Sequence, residues 1–305
     1  MNFLTLPFKN KNIIITGASD GLGFELAKKF IENNLNLIIC SSNKKRIKSA
    51  YLKLIKIKKT DQKIYFCKTN LKNEKEVYKF IKFINKKINK IDCLINNAAI
   101  LGPMGNLEEV NWKKFKKTFQ INFFSAALII KLLLPKFKKQ KEGKIIQLAG
   151  GGSSSPSIKR NPYATSKSAI TRLVENVSEE LKLLRTNVQI NSVSPGIMNT
   201  KMFRKIIRDG KKILGNKINK ELRAKNKKKT DYNKIIELIF FLSSKYSNKI
   251  TGKNISANWD NWKNWRKDLQ KIRNTDLYTV RRIVGSDRNF NKGDILNKSR
   301  KKSWA

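Results

Sequence analysis

Two side chains with complementary proton chemistry, Tyr163 and Lys167, lie four residues apart in the segment YATSK. On a helix, a spacing of four places both side chains on the same face. A phenol with a pKa of about 10 is a poor base at neutral pH, but an adjacent ammonium group favours the phenolate and lowers that pKa. The pair is therefore predicted to act in general acid–base catalysis, although Tyr/Lys pairs at this spacing also arise by chance.

The chain contains no histidine among its 305 residues, which removes the commonest alternative chemistries. Ser-His-Asp and Cys-His catalysis and histidine-ligated metal sites are excluded. Cys40, Cys67 and Cys93 are far apart in the sequence and near the ends of predicted strands. We expect them to be reduced core side chains, without a disulfide, and we expect no metal.

A glycine-rich segment, TGASDGLG at residues 16–23, follows an apolar run of strand length and opens a segment of helical period. Glycines here permit a tight turn, let the backbone approach a pyrophosphate and let the helix pack closely on the sheet. The helix N-terminus also offers amide donors and the positive end of a dipole. The pattern predicts a dinucleotide site contacted by Gly17, Ser19, Asp20, Gly21, Leu22 and Gly23.

The end of the second predicted strand bears on the choice between NAD and NADP. An acidic residue there would bind the ribose 2′-hydroxyl and repel a 2′-phosphate. The chain instead has Ser41 and Ser42, followed by the basic residues 44–46. These residues favour NADP, whereas Asp20 in the glycine loop favours NAD because its carboxylate would repel a 2′-phosphate. The cofactor is therefore expected to be NADP or NAD, with a preference for NADP.

Apolar runs of strand length alternate along the chain with longer segments of helical period. The strand runs are unbroken rather than alternating, which is typical of a parallel sheet covered on both faces. This order predicts an α/β fold, a Rossmann-type doubly wound parallel sheet of about seven strands. The predicted strands are 12–16, 35–40, 63–67, 93–96, 144–148, 188–193 and 254–256, and helices are predicted to begin near Gly21, Lys44, Glu74, Glu109, Pro162 and Tyr232.

Residues 1–257 are assigned to this nucleotide-binding domain and residues 258–305 to a basic C-terminal extension. The extension contains Trp259, Trp262 and Trp265 at intervals of three. We interpret the three rings as one face of a short helix packed on the main domain, rather than as a platform on which nucleic-acid bases stack.

Five motifs occur in the order in which the short-chain dehydrogenase/reductase family has them: TGASDGLG at 16–23, NNAA at 96–99, QIN ending at Asn122, YATSK at 163–167 and SPGIMNT at 194–200. The chain resembles this family over roughly its first 255 residues. The resemblance implies an NAD(P)-dependent oxidoreductase that transfers a hydride between the nicotinamide cofactor and a carbonyl or alcohol of a small or sugar-like substrate.

The resemblance also implies roles for single residues. Tyr163 would be the general acid/base, Lys167 would hold the nicotinamide ribose, and Asn122 would anchor a water that links Lys167 to solvent. Further cofactor contacts are implied for Asn96 and Ala98 at the adenine ribose, for Asn70 and its neighbour Leu71 near adenine, and for Pro195, Gly196 and Thr200 near the carboxamide.

One element departs from the family pattern. The family normally has a serine that polarises the substrate carbonyl where this chain has Gly150, within LAGGGSSS. We expect Ser153 to supply that hydroxyl, with Ser154 or the backbone amides of the glycine-rich turn as alternatives. Loss of such a donor typically costs about 2.7–4 kcal/mol of transition-state stabilisation. A second hypothesis is therefore a cofactor-binding or regulatory protein with reduced or no catalysis.

The formal charge of +45, from 67 basic and 22 acidic residues, would suit a nucleic-acid or membrane partner. However, lysines occur in nearly every predicted helix, and the chain is rich in the amino acids of A/T-rich codons. We expect weak, salt-sensitive binding of polyanions and no specific nucleic-acid partner. The basic segment 198–229, expected to cover the substrate, either suits an anionic substrate or reflects the same composition bias.

The longest apolar run, 125–135, is interrupted by Lys131 and is too short to span a bilayer. No basic and apolar leader pattern is recognised at the start of the sequence, so a cytoplasmic location and no membrane partner are expected. The family resemblance also implies a homodimer or homotetramer built partly on the helices that begin near Glu109 and Pro162.

Overall fold

The computed structural model describes residues 10–213, 215, 232–265, 267–283 and 285–288. Its seven strands form one sheet in the order β3-β2-β1-β4-β5-β6-β7, and every neighbouring pair is parallel. The predicted fold class is confirmed; β1, β4 and β7 have the predicted bounds, and the ends of the other four strands differ by at most two residues. The strands are β1 Asn12–Thr16, β2 Asn36–Ser41, β3 Ile64–Lys68, β4 Cys93–Asn96, β5 Glu142–Leu148, β6 Asn187–Ser194 and β7 Asn254–Ser256.

Helices cover both faces of the sheet, which explains why its strands are apolar without alternation. In β1, Ile13 and Ile15 pack in the same cluster as Phe30 and Phe240, whereas Ile14 belongs to the cluster on the other face. The helices are α1 Gly21–Glu32, α2 Lys44–Ile55, α3 Glu74–Lys87, α4 Trp112–Phe119, α5 Ser125–Gln140, α6 Asn161–Leu183, α7 Lys201–Ile213, α8 Tyr232–Ser243 and α9 Leu269–Asn274.

A π-helical turn, Gln120–Phe124, joins α4 to α5 in one continuous helix. This helix begins at Trp112 and not near Glu109, because the side chain of Asn111 caps it by accepting a hydrogen bond from the Lys114 amide at 2.9 Å. By length and composition this helix, Trp112–Gln140, is long and apolar enough to cross a membrane. The prediction from the sequence rested only on the shorter run 125–135, which is too short to span a bilayer. Core helices pass the same test, and α5 buries apolar side chains in the cluster beneath the sheet.

The extension after β7 packs on the main domain through two of its three tryptophans. Trp262 and Trp265 are 2% and 3% exposed, and the Trp262 ring stacks on Phe241 at 6.1 Å between centroids. Trp259 is 86% exposed. The interpretation of all three rings as one packed face is wrong, because the short 3-10 helix spans only Trp262–Asn264 and Trp259 precedes it.

The same extension runs along the outer edge of β7. The amide of Asn254 donates to the carbonyl of Tyr278 at 2.7 Å, and the amide of Ser256 donates to the carboxylate of Asp260 at 2.7 Å. Farther along, Val280 is held against α6: its amide donates to Glu175 at 2.6 Å, and its carbonyl accepts from Arg172 at 2.8 Å. The described part of the extension is therefore fixed to both the sheet and α6.

Candidate active site

A cavity of about 340 Å³ opens at the carboxyl ends of the strands. This is the edge of a doubly wound sheet at which ligands bind, because the loops that follow parallel strands converge there. The predicted residues that line it are Gly17, Asp20, Gly21, Leu22, Gly23, Ser41, Ser42, Asn70, Leu71, Ala98, Tyr163, Lys167, Pro195 and Thr200.

The glycine loop after β1 has the geometry that its sequence indicated. Gly17 and Gly21 have φ values of +68° and +55°, which favour glycine. A Cβ on Gly17 would lie 2.8 Å from the Cα of Ala98, and a Cβ on Gly23 would lie 2.5 Å from the side-chain amide nitrogen of Asn97. Side chains are therefore excluded where α1 approaches the loop after β4, and the N-terminus of α1 faces the cavity.

Asn97 fixes the glycine loop to the end of β4. Its side-chain amide donates to the carbonyls of Thr16 and Gly17 at 3.0 and 3.2 Å, while its backbone amide donates to the Thr16 hydroxyl at 3.1 Å. Asn96, the predicted neighbour of the adenine ribose, is instead 2% exposed beneath the cavity, where its side chain donates to the carbonyl of Ala126 at 3.4 Å. The motif NNAA presents its second asparagine to the cavity.

Asp20 is occupied by contacts within the protein. Its carboxylate caps α1 by accepting from the Gly21 amide at 2.9 Å and forms an ion pair with Lys201 at the start of α7. The Lys201 ammonium holds the pKa of this carboxyl below its usual value, and Arg46 acts in the same direction. The carboxylate charge is therefore countered by two cations. Nearby, the hydroxyls of Ser19 and Ser41 are hydrogen-bonded at 2.8 Å.

Tyr163 and Lys167 meet at the opposite end of the cavity from Ser41. Lys167 is 1% exposed and donates to the carbonyl of Leu148 at 2.7 Å, with its ammonium 5.9 Å from the centroid of the Tyr163 ring. Burial lowers the pKa of Lys167 to about 8. Burial raises the pKa of Tyr163, and the guanidinium of Arg160 opposes that rise. Arg160 directly precedes α6 and forms no ion pair within the described residues.

Asn122 lies in the π-helical turn and is fully buried. Its side chain accepts from the Ile100 amide at 2.8 Å and donates to the Ile100 carbonyl and the Ser166 hydroxyl at 2.9 and 3.1 Å. These bonds join the loop after β4 to α6 one residue before Lys167. Asn122 therefore positions α6, the helix that carries Tyr163 and Lys167, and its side chain already has protein partners for both its oxygen and its nitrogen.

The structure does not bring Ser153 into the cavity. It is 3% exposed, and its hydroxyl accepts from the side-chain amide of Asn254, at the start of β7, at 3.5 Å. At Gly150, an added Cβ would overlap the hydroxyl of Tyr163 at under 3.0 Å, so the tyrosine occupies the space of a side chain there. The amides of Gly150 and Gly151 have no acceptor among the residues that the structure describes.

Helix α7 covers the tyrosine with an apolar face. Phe203 and Ile206 pack with Leu101 and Tyr163 in a small cluster. The basic side chains of α7, among them Arg204 and Lys205, are exposed on its outer side. The cover predicted for 198–229 is thus a helix in its first part. Lys201 at its start pairs with Asp20 at the cavity, whereas Arg204, Lys205 and Arg208 face solvent. Positions 214 and 216–229 lie outside the described residues.

Two further predicted residues do not line the cavity. Gly196, with φ of +79°, lies against the side chain of Asn258 in the extension, which leaves no room for a Cβ. Ser19 does not line the cavity itself, and its hydroxyl is hydrogen-bonded to that of Ser41, which does. The cavity is also lined by residues that the sequence did not predict; they include Thr69, Asn97, Ile100, Ile121, Met198, Lys201 and Met202. The apolar residues among them carry no sequence signal of contact with a ligand, and the polar ones are brought to the cavity by contacts distant in sequence.

Comparison with known proteins agrees with this geometry. The family model of short chain dehydrogenases matches residues 11–211. The chain is 26% identical over 202 residues to 7alpha-hydroxysteroid dehydrogenase of Escherichia coli (strain K12), covering 66% of this chain and 76% of that protein. It is 28% identical over 197 residues to dehydrogenase/reductase SDR family member 4 of Mus musculus, covering 64% and 68%.

Solved structures share the fold. The chain superimposes on levodione reductase with a TM-score of 0.75 and 20% identity, covering 82% of this chain and 96% of that one. NAD+-bound xylitol dehydrogenase gives a TM-score of 0.74 and 22% identity, covering 82% and 98%.

Proposed function

Because the chain belongs to the short-chain dehydrogenase/reductase family of oxidoreductases, we propose that it transfers a hydride between a nicotinamide dinucleotide and a carbonyl or alcohol, with Tyr163 as general acid/base. The observation that carries this proposal is one cavity with the glycine loop at one end and the Tyr163 hydroxyl, beside buried Lys167, at the other. The bound dinucleotide would supply or accept the hydride. Turnover of reduced nicotinamide with a panel of ketones and alcohols tests the proposal.

The residues suit a dinucleotide because the turn at Gly17 and Gly21 leaves backbone, and no side chain, where a pyrophosphate would approach the N-terminus of α1. Ser41 and Ser42 would hold the adenosine ribose, and Lys167 the nicotinamide ribose. In reduction, the Tyr163 hydroxyl would give its proton to the substrate oxygen; in oxidation, its phenolate would take that proton back.

The oxygen of the substrate needs a second hydrogen-bond donor, which Ser153 does not supply in this arrangement. We assign that function to the amide of Gly150, which has no acceptor among the described residues and belongs to the residue that lies against the Tyr163 hydroxyl. Preorganised amides stabilise a developing oxyanion without the cost of reorientation. The glycine at position 150 is therefore compatible with catalysis.

The body of the substrate is proposed to be apolar rather than sugar-like. The cover over Tyr163 consists of Phe203, Ile206 and Leu101, and such a surface offers no partners to a polyol. The name of the relative from Escherichia coli, a hydroxysteroid dehydrogenase, agrees with this choice. A higher kcat/KM for cyclic apolar ketones than for keto-sugars is the expected preference.

The cofactor is proposed to be NADP, because Ser41 and Ser42 carry no charge and Asp20 is paired with Lys201. The substitution Ser41→Asp places a carboxylate against the 2′-phosphate, and such repulsion costs several kcal/mol. We expect KM for NADP to rise at least about tenfold while KM for NAD changes little. Ser41→Asn, which adds no charge, is the matched control. Equal effects of both substitutions on the two cofactors would contradict the assignment.

Arg160 is expected to set the pH range of the oxidation reaction. Its guanidinium opposes the rise in the Tyr163 pKa that burial causes. Arg160→Gln removes this cation, so the pKa of Tyr163 rises and the base is formed only at higher pH. The ascending limb of kcat/KM against pH for alcohol oxidation should move to higher pH, and Arg160→Lys should move it less. A limb that stays in place in Arg160→Gln would exclude this role.

Homo-oligomerisation and a cytoplasmic location stay predictions. On the continuous helix, Trp112 and Phe124 are 62% and 52% exposed, which supports an interface there.

A further inference from the structure

A second, smaller cavity of about 70 Å³ lies away from the catalytic one, between the later turns of α6 and the C-terminal extension. Its walls are unusually rich in charge. The charged residues that line it are Arg172, Glu175, Glu179, Lys182, Lys253, Arg273, Asp276 and Arg281.

Each carboxylate in this cavity already has a cation. Glu175 pairs with Arg172, Glu179 with Lys182 at 2.8 Å, and Asp276 with Arg281 at 3.2 Å. Five cations and three carboxylates line the cavity, so two cations remain after these pairs are formed. They are Lys253 and Arg273, and neither has an ion pair within the described part of the chain.

Lys253 is 4% exposed, and within the described residues its ammonium donates to one acceptor, the carbonyl of Thr275 at 2.5 Å. An ammonium has three donors, so two stay unpaired among the described residues. Burial accordingly lowers the pKa of Lys253 to about 8. The Nε of Arg273 is also buried without an acceptor. Unpaired buried donors and charges are costly, and an anion in the cavity that both side chains line would offer them acceptors and a countercharge.

We propose that this cavity binds a phosphate-sized oxyanion, either a free ion or the phosphoryl group of a small ester, between Lys253 and Arg273. A phosphate carries nearly two negative charges and several acceptor oxygens, which matches two cations better than a carboxylate does. Because α6 forms one wall and α9 with the following turn forms another, the bound anion would join the extension to the helix that carries Tyr163 and Lys167.

The test is calorimetric titration of the full chain with inorganic phosphate, at an ionic strength held constant with chloride. Wild-type protein should show saturable binding, and Lys253→Met and Arg273→Gln should each weaken it at least about tenfold. Lys182→Met is the matched control, since it removes an equal charge from the same cavity but from a residue paired with Glu179. That variant should bind within about threefold of wild type.

Titration with glycerol phosphate distinguishes the form of the ligand. Tighter binding of glycerol phosphate than of inorganic phosphate assigns the site to an ester, the reverse order assigns it to the free ion, and either order supports the proposal.

Equal weakening of phosphate binding in all three variants would show general attraction to a basic protein and overturn the proposal. Phosphate binding that Lys253→Met and Arg273→Gln leave intact overturns it as well. If Lys253→Met fails to fold, Arg273→Gln decides alone. The measurement does not depend on oxidoreductase activity.

Discussion

Replacing Tyr163 with Phe is expected to lower kcat by at least about 100-fold, because positioned acid–base groups contribute roughly 10²–10⁴-fold to such reactions. The phenol is the only titratable group of this kind that the structure places at the cavity end beside Lys167, among the residues it describes. Affinity for the dinucleotide should be retained, since the glycine loop and Ser41 lie at the other end of the cavity.

The phenylalanine keeps the ring that packs under Phe203 and Ile206, so the thermal midpoint should stay close to that of wild type. Cofactor affinity is measured by fluorescence quenching, and turnover by the absorbance of the reduced nicotinamide. Wild-type turnover in this variant would exclude Tyr163 as the acid/base. Tight cofactor binding by the wild-type chain without turnover of any tested substrate would instead favour a binding or regulatory function.

Gly150→Ala is expected to lower kcat about 100-fold, although it adds only a methyl group. The new Cβ would overlap the Tyr163 hydroxyl, so the phenol or the loop must move. Displacement of a catalytic group by about 1 Å can cost 10²-fold in rate. Gly150→Ser should be similarly impaired, so restoring the residue that the family normally has is not expected to restore or improve activity.

Gly151→Ala provides the matched control, because a Cβ at Gly151 would meet no atom within 4 Å. Both substitutions keep the backbone amide and lose the same conformational freedom, so their difference isolates the contact with Tyr163. We expect Gly151→Ala to stay within about threefold of wild-type kcat. Equal rates for the two variants would show that the tyrosine does not need the space above Gly150.

The fold could be predicted because its signals are local. Unbroken apolar runs such as Asn12–Thr16 identify strands buried on both faces, and the glycine loop fixes the first β–α turn. The Tyr163–Lys167 spacing similarly fixes one helical face. Each of these features depends on residues close in sequence, so a pattern along the chain is sufficient to find it.

The remaining features of the site depend on contacts distant in sequence. Whether Asn96 or Asn97 faces the cavity is decided by how the loop after β4 meets Thr16. The burial of Ser153 depends on Asn254, which lies far along the chain. The apolar face of α7 could not be predicted from the many lysines and arginines of this segment. Composition gives the number of charges in a segment, but it does not say which side of the helix they face.

The hydrogen bonds along β7 have a consequence for the behaviour of the chain in solution. An edge strand with free amides is a template for another strand, and therefore a site of aggregation or strand exchange. Here the outward amides of Ser256 and Asn254 donate hydrogen bonds to the Asp260 carboxylate and the Tyr278 carbonyl. At this edge of the sheet, β7 is therefore covered by contacts from its own chain. The contacts of Asp260 and Tyr278 thus protect this edge of the sheet against pairing with another chain, a function separate from the proposed catalysis.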